Sequence, residues 1–314
     1  MLEQPDFPVE FPEIVDSTML NDWRACRRKG LYHHLEHWKA RGGSIHLHAG
    51  ASFARGLEVA RHDHYVVGAT PETALERGVA ALLEAYGDFD DGGHAKSAAR
   101  MAEALVFYFD HYPLGRDSKV PHMFPSGKLG IEFSFATPLD VLHPITGNPL
   151  IYSGRADLVC DFAGGVWILD DKTTSQLGAS WGNQWRLRSQ FTSYCWAARE
   201  AGIKVEGVIA RGVSILKHKY DTMEVPTARP GWMIDEWLDC VLEDLQEMIA
   251  EWKVRYSGSH SFRKNLGESC SSYGGCEFAD VCTSDQPRKW LPMRFERRRW
   301  DPLTRTETSM EEQA

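Results

Sequence analysis

Apolar positions recur at helical spacing through the first third of the chain and then switch to alternation. Leu20, Trp23, Leu31, Leu35 and Trp38 predict a helical segment over Met19 to Lys39, with Ser17-Thr18 as its N-cap and Gly42-Gly43 as its break. Phe53, Leu57 and Ala60 give one apolar face to a second helix over Ile45 to Val67. Pro71 to Tyr112 stays helical in two pieces, split by the turn Gly87 to Gly93, and reads as an inserted module. From Gly127 the period becomes 2. Leu129 to Ala136, Ile151 to Asp161 and Val166 to Asp171 predict three strands, the last two joined by a hairpin at Gly164-Gly165. A helix over Trp181 to Ala201 and strands over Val205 to Leu216 and Tyr220 to Val225 follow. Trp237, Val241, Leu245, Met248 and Trp252 stripe a long helix over Trp232 to Tyr256. Residues 1–16, Pro-rich and acidic, are expected to be an extended lead-in. Helices alternating with strands imply an α/β fold with a central mixed sheet flanked by helices.

Composition narrows the class. A chain of 314 residues can bury a sizeable core as one large domain or two small ones. No apolar run approaches the roughly 18 residues needed to span a bilayer. Met1-Leu2-Glu3-Gln4-Pro5 lacks the basic start and apolar stretch of a signal peptide. A cytoplasmic protein with no membrane association is therefore expected. The net charge of −9 disfavours a protein that coats nucleic acid through bulk charge, but it permits a carboxylate centre with local basic patches. Seven cysteines, an odd number in a chain with no export signal, disfavour a disulfide framework. Cys160, in a strand pattern, and Cys195 and Cys240, in helix patterns, are expected to be small buried apolar groups.

The densest chemistry lies in the predicted hairpin, at Gly154-Arg155-Ala156-Asp157 and Asp170-Asp171-Lys172-Thr173. Alternation puts Asp170 and Lys172 on one face of their strand and turns Asp171 away. A turn at Ala163-Gly164 sets Asp157 opposite Asp170; a turn at Gly164-Gly165 sets it opposite Lys172. Either register gathers the three groups. Two carboxylates so placed repel each other unless a hard divalent cation such as Mg2+ or Mn2+ joins them. The lysine then holds or deprotonates a water, or neutralises charge on a phosphate, which is the equipment for phosphodiester hydrolysis.

With Gln190-Phe191-Thr192-Ser193-Tyr194 added, this series resembles the motifs of RecB-like PD-(D/E)XK nucleases, a superfamily with a restriction-endonuclease-like core. The resemblance implies metal ligation by Asp157 and Asp170, catalysis by Lys172, and an active site lined by Gln190 and Tyr194. The family opens with a helix carrying a Gly-x-x-x-His motif and a nearby acid. Here Ala54 stands where that His is expected, and Glu58 is the candidate third metal ligand, with His48 as a weaker substitute.

Cys270, Cys276 and Cys282 crowd a Gly/Ser-rich segment, a spacing that suggests a metal site and lacks the paired knuckles common for zinc. Similarity to the iron–sulfur nucleases of this family, CRISPR-associated and AddAB-type, adds Cys26, followed by Arg27-Arg28-Lys29, and implies a [4Fe–4S] cluster that staples the chain ends, with Zn2+ as the alternative. The family spacing is C-x2-C-x5-C, whereas both gaps here are of five residues. Arg24, Arg27, Arg28, Arg155, Arg186, Arg188, Lys217 and Lys219 are candidates for a phosphate path, and Trp181 and Trp185 for base stacking.

These readings divide the chain into a single nuclease domain over 1–290 and a partly disordered tail over 291–314. Within the domain, 17–70 carries the first helices, 71–118 the helical insertion, 127–225 the catalytic sheet and helix, and 232–290 the long helix and cysteine-rich segment. The resemblance implies a deoxyribonuclease acting on single strands or duplex ends in recombination, repair or phage DNA metabolism, with a helicase or recombination protein as partner. The alternatives are a non-catalytic nucleic-acid-binding protein that keeps the fold and cluster, and a zinc-stapled interaction module.

Overall fold

A computed structural model describes residues 10–256, 262–271, 275–304 and 306–309. The first nine residues of the expected lead-in and the last five of the expected tail lie outside the described residues. In chain order the elements are β1 (Ile14–Val15), α1 (Ser17–Ala25), α2 (Arg27–Gly30), a π-helical turn (Leu31–Leu35), β2 (Trp38–Ala40) and α3 (Ile45–His62), which ends in a second π-helical turn (Asp63–Val67). Next come α4 (Pro71–Tyr86), α5 (Ala98–His111), β3 (Val120–Pro121), β4 (Ile131–Leu142), β5 (Pro149–Phe162), β6 (Gly165–Thr174), α6 (Ala179–Asn183), α7 (Ser189–Glu200), β7 (Gly207–Ile215) and β8 (Tyr220–Ala228). The chain continues through α8 (Gly231–Tyr256), a 3-10 turn (Glu268–Cys270), α9 (Ala279–Thr283), α10 (Pro287–Arg294), β9 (Phe295–Asp301) and β10 (Thr306–Ser309).

The fold is mixed α/β. Seven strands form one sheet in the order β1-β5-β6-β7-β8, with β3 and β4 also pairing β5. β5/β6 and β7/β8 are antiparallel, whereas β6/β7 is parallel. The β5–β6 turn is Ala163-Gly164, both with positive φ (50° and 80°), the twist that a two-residue hairpin loop demands. Phe162 therefore pairs with Gly165 and Leu158 with Leu169. Of the two registers allowed by the sequence, this is the one that leads Asp157 to a position opposite Asp170.

By its internal contacts the chain divides into two compact units. Described residues of Met1–Gly42, Phe135–Gly154 and Glu236–Ala314 make one; Gly43–Ser134 and Arg155–Asp235 make the other. The divisions fall at Gly42-Gly43, inside β4 and β5, and inside α8; only Gly42-Gly43 is a break in the sequence pattern.

In the second unit, α3, α4 and α5 share one core with β7. Phe53, Leu57, Leu82, Leu105 and Tyr108 pack with Val213 and Ile215. α3 and α4 touch backbone to backbone: a Cβ on Gly78 would lie 2.7 Å from the Gly56 carbonyl oxygen, so only glycine fits there.

In the first unit, the predicted α8 stripe is buried from Trp237 to Trp252. The segment Met19 to Lys39 is not one helix. The backbone is extended at Cys26 (φ −162°), and Trp38–Ala40 leaves the helical path to pair antiparallel with β9. Within 291–314, Phe295–Asp301 is a strand, with Phe295 buried and stacked on Phe278. A polar stretch whose partner lies some 250 residues upstream carries no local sign of its order. No described helix is long and apolar enough to cross a membrane.

Candidate metal centre

The hairpin and its neighbours bring a set of acids together within the second unit. Asp170 is 1% exposed and ion-paired with Lys172, and the Tyr194 hydroxyl from α7 hydrogen-bonds it. Asp157 Oδ2 accepts the Asp171 N–H at 2.7 Å. Burial, then the nearby Asp170 charge, pushes the Asp157 carboxyl up to about 7, against the opposing pull of Lys172. Burial likewise raises Asp170. Burial by itself would lower Lys172, but Asp170 and Asp157 outweigh it, so the ammonium is held charged. Gln190 lies one turn before Tyr194 on α7, half-buried, with its carbonyl accepting from the Ser193 hydroxyl at 2.7 Å.

A fourth acid was missed in the sequence. Glu132 opens β4, and burial first, then the charges of Asp157 and Glu58, raise it to about 8, while Arg155 and Arg61 oppose the rise. Its φ of 54° is left-handed, a strained conformation for a residue with a side chain. Two residues earlier, a Cβ on Gly130 would fall 2.7 Å from the Val159 side chain, so the chain enters β4 pressed against β5 and turns at Glu132 toward the acids. The available signal was a lone carboxylate inside an alternating apolar strand, Ile131-Glu132-Phe133. Glu58, on α3, acts on Glu132 electrostatically and pairs with Arg55 at 2.9 Å.

The donor chemistry suits a hard divalent cation, although no three of these carboxylates bring ligand atoms within 4.8 Å of one another among the described residues. Asp170 is ion-paired with Lys172, and Glu132 with Arg155, both cations half-buried. Asp170 Oδ2 and Glu132 Oε2 are enclosed without a well-directed hydrogen bond, although Lys172 and Arg155 approach them as ions. Oxygen donors with free lone pairs suit Mg2+ or Mn2+.

A pH dependence follows. Both Asp157 and Glu132 have folded pKa values above their unfolded ones, so the folded state holds more protons. Stability without metal should then fall as pH rises from about 4 to about 8, and stay low above that. Melting curves in chelator across this range check it. Mn2+ should restore several degrees at pH 8 and little at pH 5, and a midpoint in chelator that rises with pH would contradict it.

Several expected nucleic-acid contacts are engaged elsewhere. Trp185 is a correction: it is 5% exposed, stacks on Phe191 at 5.2 Å, and its carbonyl accepts from Arg229, so its indole is core and offers no face to a base. Trp181 is buried against Gly212 of β7. Arg155 pairs with Glu132 at 2.8 Å. Arg188 is exposed, with its guanidinium 5.9 Å from the Trp185 ring and close enough to lower Lys172. His48 stacks on Phe89 at 4.1 Å and hydrogen-bonds the Tyr86 carbonyl at 2.8 Å, so it stays with the helices. In the first unit, Arg24 pairs with Asp244 and Arg27 with Glu247 and Glu251 of α8.

Four cysteines of the first unit lie along neighbouring stretches of backbone, but no three of their sulfurs come within 4.8 Å of one another among the described residues. Cys26 Sγ accepts the Asn265 N–H at 3.4 Å, and Cys270 Sγ donates to the Asn265 carbonyl at 3.7 Å. The Cys276 N–H bonds the Cys270 carbonyl at 2.9 Å. Burial raises Cys276 and Cys282, and Cys282 feels the charges of Cys26 and Cys270. Cys160 and Cys195 are buried as expected, with thiols pushed up to about 12, but Cys240 is exposed because it lies off the buried stripe of α8. Near Cys26, Asp22, His33 and His34 place ligand atoms within 4.8 Å of one another. Lys29 bonds the same Asp22 carboxylate at 2.6 Å, and the Asp22 carbonyl accepts the Cys26 N–H at 2.9 Å. An ammonium there makes Asp22 an ion-paired hub that fixes the Cys26 turn, and it disfavours a second cation.

Comparison with known proteins adds the family. No curated protein matches the sequence. Among solved structures, a Eubacterium rectale protein provisionally described as an exonuclease is 14% identical, with 87% of this chain and 94% of that one covered, at a TM-score of 0.48. LHK-Exo in complex with dAMP is 13% identical, with 66% of this chain and 97% of that one covered, at a TM-score of 0.24. Likenesses this loose carry no functional argument. The profile of the PD-(D/E)XK nuclease superfamily matches residues 19–283. The match runs from α1 to the end of α9, well over half of the chain, and takes in the β5–β6 hairpin, so the chain belongs to the PD-(D/E)XK nuclease superfamily.

Proposed function

We propose that the protein is a divalent-metal-dependent deoxyribonuclease of the RecB-like branch, acting on single strands or duplex ends, with an iron–sulfur cluster as a structural staple. The observation that carries the reading is the β5–β6 hairpin itself: Asp170 is ion-paired with Lys172, and Asp157 accepts the Asp171 N–H across from them, with Glu132 of β4 near enough to feel the Asp157 charge. Asp157, Asp170 and Glu132, with Glu58 at the edge, would hold Mg2+ or Mn2+. When bound, the ion supplies Lewis-acid stabilisation of charge developing on the phosphate. Lys172, held as an ammonium, orients the attacking water and offsets the oxyanion; its raised pKa makes it a poor free base. Tyr194 aligns Asp170 through its hydroxyl. Arg188, exposed and close enough to Lys172 to act on its charge, would meet the sugar–phosphate backbone.

Cys26, Cys270, Cys276 and Cys282 would hold a [4Fe–4S] cluster. Their convergence from both ends of the sequence supports a stapling role.

Digestion of linear duplex, circular duplex and single-stranded DNA in Mn2+ tests the reading. Linear and single-stranded DNA should be degraded, closed circles should survive, and chelator should stop the reaction. DNA binding without turnover would instead identify a non-catalytic member of the superfamily.

A further inference from the structure

The metal centre leaves the α4–α5 module unexplained, yet that module reaches the catalytic strand. The loop between α4 and α5 carries Lys96, which is 3% exposed. Its Nζ donates to the Thr173 carbonyl at 3.2 Å and to Thr173 Oγ1 at 2.9 Å. From α5, the Tyr108 hydroxyl donates to Asp171 Oδ1 at 2.8 Å and accepts from Arg61 and Arg211, each at 2.7 Å. Arg61 also donates to Asp171 Oδ2 at 2.7 Å. Asp171 and Thr173 are the two neighbours of Lys172, and alternation turns both to the face of β6 opposite Asp170 and Lys172.

The strand needs such support here. Among the described pairs, the ladder of β6 with β5 ends at Leu158–Leu169, while the ladder with β7 runs on to Thr174–Ser214. Lys172 therefore sits where β6 has a hydrogen-bonded neighbour on one side. A buried ammonium with no carboxylate partner among the described ion pairs is costly, and burial drags Lys96 down to about 8. An apolar chain of similar length would fill the space without that cost. What the ammonium adds is two directed bonds to one residue of the strand.

We propose that the α4–α5 module is a brace for the catalytic strand, and that Lys96 and Tyr108 are positioning residues that hold Thr173 and Asp171 and thereby fix Lys172 between them. The link to the acids is direct, because the Asp171 N–H also bonds Asp157. Reacting groups must be held to within roughly 0.5 Å for full effect, so release of either bond should cost turnover more than binding. The proposal rests on the nuclease reading for its catalytic consequence, but not for its structural one.

The test compares Lys96→Met, Lys96→Arg, Thr173→Val, the Lys96→Met/Thr173→Val pair, and Tyr108→Phe. Lys96→Met should lower kcat at least tenfold, on the order expected from a sub-ångström displacement, with KM for DNA changed by less than about twofold. It should also weaken Mn2+ binding by calorimetry and speed amide hydrogen exchange over residues 169–175. Lys96→Arg should recover most of the loss, and the double variant should be no worse than the worse single one. Tyr108→Phe gives the second arm, with the same pattern centred on Asp171. Wild-type kcat, Mn2+ affinity and exchange in Lys96→Met would overturn the brace, as would a loss of activity matched in full by a smaller folded fraction. If the wild-type protein cuts no DNA, the nuclease reading fails by itself. The brace then stands or falls on exchange and Mn2+ affinity.

Discussion

Asp170→Asn and Lys172→Ala are each expected to lower Mn2+-dependent DNA cleavage by roughly 100- to 1,000-fold, the size of effect seen when a preorganised group facing the developing charge is lost. The two variants should differ in everything else. Asp170→Asn keeps the shape of a buried side chain, removes a carboxylate that repels Asp157 and leaves Lys172 without its ion-pair partner, so without metal Asp157 should ionise at lower pH than in wild type. It should also lose Mn2+ affinity. Lys172→Ala removes the cation that holds Asp157 and Asp170 down, so both carboxyls should rise further. Its metal-free stability should then fall more steeply with pH than that of wild type. Cleavage assays, Mn2+ calorimetry and melting curves across pH separate these outcomes. Metal-dependent cleavage at the wild-type rate in either variant would remove the hairpin from the chemistry.

The second large effect concerns the thiols of the first unit. Cys26→Ser or Cys282→Ser should abolish the brown colour and visible absorbance of an iron–sulfur protein and leave the first unit open to proteolysis. Structural metal sites contribute on the order of 10 kcal/mol to folding, comparable with the whole stability of an ordinary domain. The first unit draws on sequence segments from both ends of the chain, and Cys26 and Cys270 both contact Asn265. Loss of one ligand should therefore unfold that unit more than the other. Cys240→Ser is the control: the thiol is exposed on α8, and its replacement should leave colour, iron content and melting unchanged. A colourless protein carrying stoichiometric zinc would keep the staple and replace the cluster. Wild-type colour and protease resistance in Cys26→Ser would exclude that residue as a ligand.

The two results would bear on different units, and this separation is itself informative. A cysteine variant that loses its cluster but retains a folded second unit would show whether the acids need the staple at all. Residual cleavage in such a variant is expected, because every acid and the lysine of the proposed centre lie in the second unit.

The legible parts of this protein were those written in a short period. The α8 stripe, the β5 and β6 strands, and the common face of Asp170 and Lys172 each follow from spacing within one element, since helices repeat at 3.6 residues and strands at 2. The hairpin glycines limited the pairing to two registers, and the positive φ at Ala163 and Gly164 selected one. The rest was decided by contacts between residues far apart in the chain. Trp185 has the look of a stacking platform beside basic residues, yet Phe191, Trp181 and Arg229 enclose it. Glu132 is a single carboxylate in an apolar strand until the left-handed turn after Gly130 brings it among the acids. Phe295–Asp301 reads as a polar tail until Trp38–Ala40 supplies its ladder. Lys96 is one more charged loop residue until Thr173 is beneath it. Local periodicity is a property of the backbone and can be read along the chain; burial and partnership depend on which distant segment arrives, and that is settled only when the whole chain packs.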